Sequence, residues 1–197
     1  MLQRISFAIV TRANRKSLII TAIFFLAMQY LISISPFGVQ AVKSVAPGVT
    51  ILDMQLNYSP ADAHKTLLDL QESGRKVYVQ MLLIDFVFII AYTPFLMVSL
   101  TLLYRFFFPK NRLYRIIWVV PLASGFFDVL ENCGTLVQLK AFPEALPVVA
   151  RISNVFTMSK FVTAGLCEVT LGIGAIIWLL VIMVRAMKRD WRNAKSE

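Results

Sequence analysis

The sequence predicts an all-α membrane protein: a four-helix transmembrane bundle with one extracytoplasmic amphipathic helix. Three observations predict it. Hydrophobic residues make up 58% of the 197 and charged residues only 16%, a balance far from that of soluble globular chains. Four stretches are apolar for long enough to cross a hydrocarbon core, which takes about 20 such residues per helix. Twenty Lys and Arg stand against eleven Asp and Glu, a net charge of +9. The basic residues flank the apolar runs, so anionic lipid headgroups and not nucleic acid are their expected partners.

The elements follow in chain order. The first span runs from Ser17 to about Ile34 and ends before Ser35-Pro36. Basic residues precede it as in a secretory signal, but no small-residue cleavage site follows, so it reads as a retained helix. The loop after it carries an amphipathic helix over about 59–73. Ser59 is its N-cap, Pro60 its first helical residue and Asp62 the third member of a capping box. Leu67, Leu68 and Leu70 give that helix an apolar side, and Gly74 is its expected stop. Lying on the outer surface or covering the bundle as a lid both suit it. The second span, Val77 to Tyr104, follows Gly74-Arg75-Lys76 and closes at Arg105 and Pro109. The third, Ile116 to about Leu139, contains Pro121 and Gly125, both tolerated in membrane helices. The fourth apolar run begins near Val148 and reaches Val184; its bilayer portion is taken as 160–184, with a basic tail over 185–197. No repeat, low-complexity tract or second domain interrupts residues 1–197.

Orientation follows from the basic residues. Arg4, Arg12, Arg15 and Lys16 precede the first span, Arg105, Lys110, Arg112 and Arg115 join the second to the third, and Arg185, Lys188, Arg189, Arg192 and Lys195 end the chain. Against these thirteen, the other side holds six: Lys43, Lys65, Arg75, Lys76, Lys140 and Arg151. Both termini are therefore expected in the cytoplasm of a cell whose plasma (inner) membrane holds the bundle.

Ionisable residues inside the spans are the sharpest feature. Counted at ~1.5 Å per residue, Asp85 and Tyr92 lie ~28 and ~18 Å from Tyr104, Asp128 lies ~18 Å from Ile116, and Glu131 and Asn132 lie ~23 Å from it. On the same count Glu168 and Lys160 lie ~25 and ~37 Å from Arg185, and Gln29 ~18 Å from Ser17. These groups fall in one band, in the outer half of the membrane. Their faces agree too. Tyr78, Asp85, Tyr92 and Ser99 recur at sevens, and Ser124, Asp128, Glu131, Asn132 and Thr135 follow three-four spacing. Thr157, Lys160, Ala164 and Glu168 share a face with Gly172 and Ala175, small residues expected to let neighbouring backbones approach.

A charge at the bilayer centre costs at least about 2.5–3.5 kcal/mol on insertion scales, so such residues meet partners, water or protons. Four acids (Asp85, Asp128, Glu131 and Glu168) face one amine, Lys160. Pairing of Lys160 with Asp85 or Glu131 competes with snorkelling to the outer interface. Asp128-Val-Leu-Glu131-Asn132 sets two acids on one helix face, suited to acid/base work or oxygen coordination. Cys133 and Cys167 read as buried thiols at different depths, not a disulfide. His64, the only imidazole, reads as a surface residue of the loop helix. No metal or cofactor motif, phosphate loop or nucleophile triad is visible, so no metal and no cofactor is expected.

The order Tyr58-Ser59-Pro60, Gly74-Arg75 with Tyr78, Asp85 and Asp128-x-x-Glu131-Asn132 resembles that of bacterial four-pass integral membrane proteins of uncharacterised function. The resemblance covers most of the chain beyond the first span and implies the four-helix architecture, with no activity to carry over.

Three functions fit these residues. In the first, Asp85, Tyr92, Asp128, Glu131, Asn132, Lys160 and Glu168 form a pocket that binds a lipid-like or amphiphilic small molecule, with acid/base chemistry on it as an option. In the second, an oligomer translocates protons or cations through these acids. The third is a helper subunit that packs on a larger membrane-protein complex. Membrane lipids are partners in all three.

Overall fold

The computed structural model describes residues 2–110 and 112–194, and within them every regular element is helical. Seven α-helices follow one another: α1 (Leu2–Arg12), α2 (Arg15–Ser33), α3 (Val39–Val45), α4 (Pro60–Asp69), α5 (Gln71–Phe107), α6 (Val119–Ala141) and α7 (Pro147–Ala194). Short 3₁₀ turns at Leu52–Met54 and Arg112–Arg115 complete the list. Helices α2, α5 and α7, together with the stretch Leu113–Ala141 that includes α6, are long and apolar enough to span a bilayer. The chain is an integral membrane protein of the all-α bundle class.

The central helix is α5. It packs against α2, α6 and α7, and 39% of its most apolar window is buried inside the bundle, against 11% for α2 and for α7. The two outer helices therefore show most of their apolar surface to lipid, as Ile19, Ile20, Ile23, Val162, Leu166, Val169 and Ile173 do. The most extensive interface joins α6 to α7. Two glycines of α6 make close approach possible. A Cβ on Gly125 would run into Thr93 Oγ1 of α5, and one on Gly134 into Ser153 Oγ of α7. The small residues expected to serve this purpose on α7 do not: a Cβ on Gly172 would meet nothing, and Ala175 is exposed.

Both ends of the bundle carry structure beyond the spans. At the end where α5 and α7 begin (the loop end), α4 starts as its sequence dictates. Ser59 Oγ accepts from Asp62 N at 3.2 Å, Asp62 Oδ2 accepts from Ser59 N at 2.9 Å, and Pro60 occupies the first turn. Its stop is not Gly74. The chain turns at Gln71, where φ is +56°, and Gly74 lies inside α5, close against Leu70 and Ala46. On α4 it is Ala63, Thr66 and Leu67 that are buried, while Leu68 faces out. Arg75 holds the junction by donating to Leu67 O at 2.9 Å and lying 4.0 Å over the Phe142 ring. Tyr58 N donates to Asn154 Oδ1 at 3.0 Å, which ties the loop to α7. Burial of the Tyr58 phenol pushes its pKa up to about 12.

At the opposite end, the basic N-terminal segment forms a helix of its own, α1. It packs on the Arg112–Arg115 turn and on α5, and Arg105 Nη2 donates to Ala13 O at 3.1 Å. Asn14 Oδ1 then caps α2 by accepting from Lys16 N and Ser17 N. Helix α7 runs unbroken for 48 residues, ~72 Å at ~1.5 Å per residue, so it extends well past a ~30 Å hydrocarbon layer. It takes in the basic tail as far as Ala194, and Lys195 lies outside the described residues. Both cysteines are free, but Cys133, expected to be buried, is exposed.

Candidate functional site

The sequence stripes meet. On α6, Ser124, Asp128, Glu131, Asn132 and Thr135 are all buried, and on α5 so are Tyr78 and Tyr92. The Lys160 ammonium of α7 reaches across the α6–α7 interface to Glu131 Oε2 at 2.5 Å and Asp128 Oδ1 at 3.2 Å. Pairing prevails over snorkelling because the side chain is directed inward, only 13% exposed, between two carboxylates that are 7% and 0% exposed. The second acid is Asp128, where the sequence pointed to Asp85. Asp128 and Glu131 lie three residues apart on one face of α6, so one ammonium meets both.

Each carboxylate also has a neutral donor. Tyr92 Oη donates to Asp128 Oδ2 at 2.9 Å, and Thr157 Oγ1 donates to Glu131 Oε1 at 2.9 Å. Asp85 Oδ2 accepts from Asn132 Nδ2 at 2.6 Å. The network thus joins α5, α6 and α7 by hydrogen bonds and ion pairs whose alternative is an unpaired polar group in a dry interior.

Beside the network lies a partly open cavity of about 810 Å³. Its polar wall includes Asp53, Asp85, Tyr92, Asp128, Lys160 and Glu168. Its apolar wall includes Phe25 and Ile32 from α2, Phe88, Phe95 and Leu96 from α5, and Phe161 and Leu171 from α7. Phe25 stacks on Phe95 with ring centroids 4.7 Å apart. From Met81 to Leu96 on α5 is 15 residues, and from Lys160 to Gly172 on α7 is 12, so the cavity extends ~18–23 Å along the helices.

Of the seven residues singled out in the sequence, five line this cavity (Asp85, Tyr92, Asp128, Lys160, Glu168), while Glu131 and Asn132 stand behind them, fully buried. Glu168 is the outlier: exposed, and without a hydrogen bond or ion pair among the described residues. Asp53 is the residue that sequence reasoning missed. The 3₁₀ turn folds inward so that Asp53 and Met54 line the cavity, and Asp53 accepts a hydrogen bond from the Tyr78 hydroxyl. Desolvation there pushes its carboxyl above the usual carboxylate range. The one signal available was a lone acid bracketed by Ile51, Leu52 and Met54 in an otherwise polar-turn segment. His64 does not join the site; it stacks on Phe142 with centroids 5.4 Å apart.

Among the described residues no three His, Cys, Asp or Glu side chains converge closely enough to hold a metal ion. Comparison with family models, with curated proteins and with solved structures gives no match. The fold defines a class, the polytopic α-helical membrane protein.

Proposed function

We propose that the cavity binds a lipid-like or other amphiphilic small molecule, with its apolar body among Phe25, Phe88, Phe95 and Leu171 and its polar end at the Asp85, Asp128 and Lys160 wall. The observation that carries this is the cavity's own polarity: one connected space of about 810 Å³ with ionisable groups on one wall and aromatic and aliphatic side chains on the other. That size falls in the range of about 300–1,000 Å³ common to small-molecule sites. A merely structural network would be expected to fill its interior, because close packing leaves few voids larger than a water.

Native mass spectrometry and lipid analysis of the purified protein test the reading directly. A co-purifying species that is lost from the Asp85→Asn or Lys160→Met variant supports it. A parent protein that carries no ligand, takes up none from added lipid extract and is unchanged in these respects by either substitution refutes it.

The bundle sits, in this proposal, in a bacterial inner membrane with both termini in the cytoplasm. The thirteen-to-six distribution of basic residues supports that orientation. Reporter fusions after Arg75 and at the C-terminal end are expected to report opposite compartments; the same compartment for both overturns it.

A further inference from the structure

We infer that the occupant of the cavity is a membrane amphiphile with a protonated amine at its polar end, admitted sideways between α2 and α7. The inference rests on the reading of the cavity as an amphiphile site and adds to it the charge of the head and the route of entry.

Charge comes first. Among the described residues Lys160 is the one cation on the cavity wall, and Asp128 and Glu131 already hold it. Asp53, Asp85 and Glu168 also line the cavity, and no cation reaches any of them within hydrogen-bonding distance among the described residues. Asp53 and Asp85 have only neutral donors, the Tyr78 hydroxyl and the Asn132 amide. The wall therefore has spare acceptors and no spare cation, so it complements an ammonium and repels an anionic head.

The number of donors points the same way. An ammonium brings three N–H donors on one atom, whereas a hydroxyl brings one and a carboxylate none, so an ammonium suits a wall that offers the carboxylate oxygens of Asp53, Asp85 and Glu168.

The route follows from packing. Helices α2 and α7 both line the cavity, yet α2 packs on α5 and α3 and makes no extended contact with α7. Gly165 and Gly172 lie on the α7 wall, and a Cβ at either would meet only open space. Both neighbouring helices turn most of their apolar surface to lipid. A molecule already dissolved in the bilayer thus reaches the cavity without crossing a polar surface.

The test uses the full chain in bilayer discs of a neutral phospholipid, titrated with hexadecylamine, hexadecanol, hexadecanoic acid and butylamine, and read by native mass spectrometry and thermal shift at pH 7. Hexadecylamine is expected to occupy the protein at a concentration at least about tenfold below the alcohol and the acid. Asp85→Asn is expected to remove that preference while hexadecanol still binds. Gly165→Leu, which fills open space without disturbing packing, is expected to slow uptake of the amine. Equal binding of amine and alcohol, or a preference for the acid, overturns the head-group assignment and leaves the amphiphile site standing. Butylamine binding as tightly as hexadecylamine overturns the membrane route. Absence of binding by all four refutes both readings together.

Discussion

Lys160 Nζ lies 2.5 Å from Glu131 Oε2, an ion pair between α7 and α6 in which the carboxylate is fully buried. Removing one partner of such a pair strands the other, at a typical cost of about 3–5 kcal/mol. Lys160→Met is therefore expected to lower the thermal stability of the detergent-solubilised protein strongly. Glu131→Gln in the same chain is expected to restore part of the loss, since the stranded acid is then gone. Asp128 at 3.2 Å still keeps a share of the charge, so the restoration is incomplete. Additive losses in the double variant would show that the pair is not the coupling element.

Glycines separate packing from open space. Gly134→Ala drives a methyl into Ser153 Oγ at the α6–α7 contact. Overpacking of this kind costs about 1–3 kcal/mol. Gly165→Ala meets nothing within 4 Å and gains about 0.8–1.0 kcal/mol of helix propensity as measured in water. The first is expected to lower the melting temperature and the second to leave it unchanged or raise it. The opposite order would mean that α7 packs on α6 through another face.

At the start of α4, Ser59→Ala removes the hydroxyl that accepts from Asp62 N, with a loss of about 0.5–2 kcal/mol from that helix. Asp62 gives the same cap a pH dependence. The Ser59 hydroxyl and backbone N–H donate to its carboxylate and hold it below its ordinary value of 3.8. Its contribution is thus present above pH 3.8 and fades as pH falls through the lower folded value. Hydrogen exchange across 60–69, corrected for intrinsic rates, is expected to show α4 loosening in acid. Asp62→Asn is expected to flatten that response.

Much of this arrangement is readable in the residues themselves. Tyr78, Asp85 and Tyr92 at sevens, and Asp128, Glu131 and Asn132 at three and four, fix which faces turn inward, because a helix carries its side chains at a fixed angular step. The Ser59-Pro60-Ala61-Asp62 start is legible for the same local reason. What escaped was set by distant packing. Gly74 looks like a stop in isolation, yet a glycine is also what lets Leu70 and Ala46 close on α5. Choosing Asp128 as well as Glu131 for Lys160 depends on the rotation of α7 against α6, which spacing along one helix leaves open. Asp53 was hidden for another reason: a 3₁₀ turn has no period to read, and its inward seat is created by Tyr78, 25 residues away.

That seat supplies the last prediction. Tyr78 Oη accepts from Leu52 N at 3.1 Å and donates to Asp53 Oδ1, so one buried phenol anchors the turn twice. Tyr78→Phe leaves the Leu52 N–H and the half-buried Asp53 carboxyl without that partner, and the buried Leu52 N–H left unsatisfied costs about 1–3 kcal/mol. Exchange protection of residues 52–54 is expected to fall well before that of α5 and α6. The pH dependence has the opposite sign to that of Asp62. Desolvation raises the Asp53 carboxyl above its ordinary value of 3.8, so the seat is firmest below pH 3.8, where Asp53 is protonated. It weakens as pH rises through the raised folded value and then levels off. In the parent protein, protection at 52–54 is therefore expected to decline as pH rises above 3.8, whereas α4 gains its protection below that value. Asp53→Asn is expected to abolish the decline while keeping an acceptor for Tyr78. A turn whose protection is independent of pH in the parent would show that Asp53 is not desolvated in its seat, and that the inward fold of the 3₁₀ turn rests on Leu52 alone.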